Sequence, residues 1–212
     1  MAIAAIDRAP TAVPTELARG RGGGGPAPTR IVVAYGFWIF LLSDFVLFSG
    51  LFAAYAVLSN QTAGGPTGAE LFNLRKVFIE TMCLLFSSYT CGLGALSAER
   101  RQPGRFLGFN VLTLVLGAAF LIIESTEFAG MVAKGAGPSR SAFLSGFFTL
   151  VGTHGVHVTG GLIFLVYMMA QVVAKGLRPH VLRRLLCFSL FWHALDIIWV
   201  GVFTLVYLMG AR

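Results

Sequence analysis

Long apolar runs alternate with short polar, Gly-rich or basic stretches along these 212 residues, and none of the runs shows the period-two alternation of a membrane barrel. Five runs reach the length a helix needs to cross about 30 Å of hydrocarbon, close to 20 residues. Every backbone N–H and C=O must find its partner within such a segment, so the pattern predicts an all-α integral membrane protein, a five-transmembrane-helix bundle. The helices are expected at about 31–58, 77–96, 106–123, 142–173 and 185–209, the first and fourth long enough to tilt.

Three of these runs are interrupted by ionisable side chains. Asp44 lies inside FWIFLLSDFVLFSGLFAAYAVL, His154 and His157 inside FFTLVGTHGVHVTGGLIFLV, and His193 and Asp196 inside LCFSLFWHALDIIWVGVFTLVYL. At about 1.5 Å per residue, Asp44, His154 and Asp196 all fall about 17 to 20 Å from the start of their segments, near the bilayer midplane. Charge is costly there, and such groups normally face protein, water or a polar ligand. His154 and His157, like His193 and Asp196, are three apart and share a helix face.

Three readings compete for this set. It is a structural network that fixes helix packing, a contact with lipid or a neighbouring subunit, or a metal, haem or proton-transfer site. The chain has four histidines and His180 falls in a basic loop, so a bis-histidine haem would rest on His154 with His193 across two helices. Around the histidines Gly152, Gly155, Gly160 and Gly161, with Ser145, Thr149 and Thr153 at four-residue spacing upstream, let helix backbones approach closely and predict a central fourth helix. Glu80 near the outer end of the second helix and the pair Glu124 and Glu127 at the end of the third are expected on the same outer side, within reach of interfacial water, in a solvated or paired role. Trp38, Trp192 and Trp199 read as packing residues rather than an interfacial belt.

Composition agrees with the membrane assignment: 56% hydrophobic and 12% charged residues, with mean hydropathy +0.78, against about 25% charged in a soluble domain. The +7 charge is a topology signal. Eleven basic residues fall before the first span and in the loops joining spans two to three and four to five, and five fall on the other side. By the positive-inside rule the amino terminus is cytoplasmic and the carboxyl terminus periplasmic. No soluble domain carries a basic face, so nucleic acid is not an expected partner. Residues 1–30, with GRGGGGPAP, are expected to form a disordered cytoplasmic tail, and Asp7 and Glu16 break any secretory h-region there. The remaining residues, 31–212, form the five-helix membrane domain. Cys83, Cys91 and Cys187 form no C-x-x-C pair, and no phosphate loop or G-x-S-x-G elbow occurs.

FWIFLLSDFVLFSGLFAAYAVL, the loop TAGGPTG, HGVHVTGGLIF and FWHALDIIWVGVFTLVYLMG together resemble subunit III of the haem-copper oxidases, most closely that of the cytochrome bo ubiquinol oxidases. The likeness runs from about Gly36 to Gly210. It implies a non-redox accessory subunit, with no catalytic residue and no metal or cofactor of its own, in a proton-pumping ubiquinol oxidase of the bacterial cytoplasmic membrane. Haems and copper are then expected in subunit I, and ubiquinol at another subunit. Subunits I, II and IV and membrane phospholipid are the expected partners. Five spans fit the quinol branch, since the mitochondrial type has seven. By the same resemblance Asp44 is the counterpart of the family's membrane-buried carboxylate. His154 with His157, His193 with Asp196, and Glu124 with Glu127 match positions near lipid or in helix contacts. Two alternatives stay open: subunit III of a cytochrome c oxidase, and a proton-coupled membrane transporter using Asp44, His193 and Asp196 as a relay.

Overall fold

The computed structural model describes residues 29–210. The tail expected over residues 1–30 therefore lies almost wholly outside the described residues. Among these, five helices are long and apolar enough to cross a membrane. They are α1 (Thr29–Leu58), α2 (Leu74–Glu99), α3 (Pro103–Ala133), α4 (Ala142–Lys175) and α5 (Pro179–Val202), and α5 continues as a π-helical segment over Phe203–Leu208.

Local chemistry sets the ends. The Asn73 side chain accepts from the Lys76 N–H and that of Ser141 from the Leu144 N–H, capping α2 and α4. Pro103 and Pro179 open α3 and α5, where a proline ring costs no hydrogen bond. Gly176, at φ 69°, closes α4 in a conformation that favours glycine. These caps explain why α2 and α5 begin earlier than the apolar runs suggested, at Leu74 and Pro179. α3 also runs on to Ala133 rather than ending near Ile123, because Glu124 and Glu127 turn inward and the helix carries them.

α2 lies along α3 and α5, α3 along α4, and α4 along α5, while α1 leans on α4 and α5. The core is aromatic, with Trp192, Trp199, Tyr207, Phe120 and Phe147 fully or almost fully buried. α1 contributes a narrow seam of Leu41, Phe48 and Tyr55, seven residues apart, and leaves most of its other side chains bare. Trp38 belongs to that outer face and is 47% exposed, so the packing role expected of it holds only for Trp192 and Trp199.

The glycines of α4 divide by face. A Cβ at Gly161 would lie 2.9 Å from Trp192 Cζ3, and one at Gly152 would make an ordinary contact with Phe128 at 3.8 Å. Gly155 and Gly160 have nothing within 4 Å, so they are not the close-approach positions the sequence suggested. The tight approach is completed instead by Gly117 on α3, where a Cβ would meet Leu162 and Trp192. Thr149 and Thr153 turn their hydroxyls back to carbonyls of their own helix and bridge nothing.

Candidate functional site

The intramembrane ionisable residues separate into three places. In the first, His157 Nε2 stands 3.9 Å from Asp44 Oδ1, a charge contact too long for a hydrogen bond. His157 Nδ1 lies 2.8 Å from the Thr153 carbonyl. A carbonyl only accepts, so Nδ1 carries a proton and Nε2 is the nitrogen turned to the carboxylate. Both side chains keep partial exposure on the α1–α4 surface, 23% and 17%. Phe48 sets its edge against both imidazoles of α4, at 5.2 Å to His157 and 6.2 Å to His154.

His154, one turn away, is wholly buried among Phe48, Phe120 and Trp199, and neither ring nitrogen has a hydrogen-bond partner. The cross-helix pair expected of His154 and His193 does not form. α5 points Trp192 and Trp199, seven residues apart, into the core, which turns the neighbouring stripe of His193 and Asp196 toward α2. There His193 Nδ1 lies 2.6 Å from Ser88 Oγ, Asp196 sits beside both, and Asp196 Oδ1 has no hydrogen-bond partner. These groups line a shallow lateral groove of about 430 Å³ with Leu85, Tyr89, Gly92 and Leu93.

The partners of these residues are hydroxyls of α2 and α3 that sequence reasoning missed. Trp192 Nε1 donates to Ser87 Oγ and Trp199 Nε1 to Thr81 Oγ1, both at 3.1 Å. Thr90 and Thr113 join α2 to α3 at 2.8 Å. The signal was available: Thr81 with Ser88, seven apart, and Ser87 with Thr90, three apart, mark two neighbouring stripes of hydroxyls on the least apolar-looking span.

The third place corrects the expectation of solvated carboxylates. Glu80, Glu124 and Glu127 are 0%, 4% and 8% exposed and come together where α2 begins and α3 ends. Both oxygens of Glu80 and Glu124, and Oε2 of Glu127, have no hydrogen-bond partner. Lys76, exposed at the start of α2, faces Glu80 and Glu127. The Tyr207 hydroxyl, fully buried and likewise unpartnered, faces all three acids and Tyr55. Among the described residues, no group of three or more His, Cys, Asp or Glu side chains is placed to hold a metal ion.

Comparison with known proteins decides the family. The family model described as cytochrome c oxidase subunit III matches residues 23–211. The chain is 52% identical over 177 residues to cytochrome bo(3) ubiquinol oxidase subunit 3 of Pseudomonas aeruginosa, covering 84% of this chain and 85% of that protein. It is 46% identical over 175 residues to quinol oxidase subunit 3 of Bacillus subtilis, covering 82% and 86%. The chain belongs to the cytochrome c oxidase subunit III family. As a subunit III it is one member of a multi-subunit oxidase and does not itself carry out the complex's catalysis. Its five apolar helices and its bacterial relatives make it a multi-pass protein of the bacterial cytoplasmic membrane. These relatives do not favour the transporter reading, and among the described residues Asp44, His193 and Asp196 do not form the connected relay which that reading needs.

Proposed function

We propose that this subunit III serves a proton-pumping ubiquinol oxidase, which passes electrons from ubiquinol to oxygen, and that it stabilises subunit I and the lipid-filled interface. The observation that carries the reading is the identity of 46–52%, over more than four-fifths of the chain, to subunits named for quinol oxidases in both Pseudomonas and Bacillus. Cytochrome c as donor has no such support beyond the family's name. Haems and copper belong to subunit I, subunits I, II and IV are the partners, and the amino terminus faces the cytoplasm. The lateral groove at Ser88, His193 and Asp196 supports an assembly role, because polar groups at that depth call for cover by a neighbouring chain or lipid. Asp44 and His157 leave a similar half-covered polar spot on the α1–α4 surface.

The complex purified with and without this chain provides the test. Subunit I should keep its haem spectrum while losing endurance in steady-state oxygen consumption, with ubiquinol and not reduced cytochrome c as the working donor. Loss of all haem from an intact subunit I, haem bound by this chain alone, or turnover with cytochrome c would overturn the reading.

A further inference from the structure

The carboxyl-terminal end of the bundle holds more unsatisfied polarity than the rest of it. Five carboxyl oxygens of Glu80, Glu124 and Glu127, and the hydroxyls of Tyr207 and Tyr55, are buried without a hydrogen-bond partner. Native proteins leave few such atoms unpaired, and an internal site lined with polar groups takes up ordered water where an apolar one stays dry. Tyr207 is the independent witness. It is wholly buried, it comes from a different helix than the acids, and its hydroxyl is unpartnered and close enough to feel the charge of all three. An opening lies nearby. A cleft of about 650 Å³ opens between the end of α1, the 62–68 turn and residues 205–210, with Ser59, Asn60, Thr62 and Thr67 on its polar side. Tyr55 lines this cleft and faces Tyr207 behind it.

We propose that Glu80, Glu124, Glu127 and Tyr207 enclose a hydrated, proton-exchanging site that communicates with the aqueous phase through the Tyr55 cleft. Its ligand is water and the protons water carries. A proton delivered by water forms an O–H bond with one carboxyl oxygen as another leaves a neighbouring carboxyl or the Tyr207 hydroxyl. No electron moves, and bound protons change only by exchange with the bulk. The groups facing the site are Lys76, Glu80 and Cys83 from α2, Glu124 and Glu127 from α3, Tyr55 from α1 and Tyr207 from the π segment. The placement of the acids does not suit a metal ion, which separates this site from a cation-binding one. The inference stands on the chain's own geometry and does not depend on the electron donor of the complex.

Infrared spectroscopy of the intact complex in membranes, switched from H₂O to D₂O, tests it. A carboxylic C=O band should exchange promptly, lose intensity in Glu124→Gln and Glu80→Gln, and exchange severalfold more slowly when Ala56→Trp or Ala69→Trp fills the cleft. A band that exchanges only as the protein unfolds, or one indifferent to all four substitutions, overturns the proposal. If the substitutions prevent assembly, a density map of the wild-type complex decides. Water within hydrogen-bond distance of at least two of the acids supports the site, and a dry acid-to-acid contact or a coordinated metal in its place refutes it.

Discussion

The middle of the α2–α3–α5 contact and its carboxyl-terminal end treat polar side chains in opposite ways. In the middle, donors and acceptors pair between helices, Thr90 with Thr113 and Trp192 with Ser87. At the end three acids and a tyrosine gather, with five carboxyl oxygens and the phenol hydroxyl left without a hydrogen-bond partner. A hydroxyl both donates and accepts, so a few of them close on one another between helices. Ionised carboxyls only accept, and a group of them cannot satisfy itself. Neutral hydroxyls thus rivet the helices in hydrocarbon, whereas acids import a need that water or protons must meet.

Substitutions can break this comparison, and the largest effect is expected in the middle. Trp192→Ala removes an indole that is 1% exposed and seated against Gly117 and Gly161, and should cost about 3–5 kcal/mol, read as a fall in the thermal unfolding midpoint of the purified complex. Gly161→Val should cost about 1–3 kcal/mol by crowding the same ring, while Gly160→Val, on the open face, should leave the midpoint unchanged. Equal losses at the two glycines would mean that α4 turns a different face inward. Ser87→Ala strands the Trp192 indole N–H at about 1–3 kcal/mol, and Thr113→Val should cost about 0.6 kcal/mol, the average for polar contacts between membrane helices. Glu124→Gln sharpens the contrast most, with no loss of midpoint expected because no protein hydrogen bond is given up. If it falls as far as Ser87→Ala, the acids are tied into the bundle after all.

Helix number and approximate positions were legible because hydrocarbon imposes a length on each span and 26 to 34 residues of apolar pattern answer it. Burial of individual side chains was less so. Glu124 and Glu127 look like the end of an apolar run when only polarity is read, yet α3 carries them inward for two further turns. His154 and His193 share a depth, but depth says nothing of azimuth, and the two tryptophans of α5 decide which stripe meets α4. Gly160 and Gly161 are neighbours in sequence and about 100° apart around the axis, so a small-residue pattern alone did not reveal which one meets a ring. The hydroxyls of α2 went unnoticed because serine and threonine carry no charge to mark them against the apolar background.

The π segment over Phe203–Leu208 gives chain length a meaning there. Widened turns accommodate a residue that a straight α-helix would not need. Deleting one residue between Val202 and Tyr207 would let a regular α-helix form with the phenol near its present azimuth, whereas an added residue would swing it about 100° around the axis, away from the acids it now faces. An insertion in this stretch would then turn the tyrosine out of the site while a single deletion would not, so spacing belongs to the carboxyl-terminal site as much as composition does.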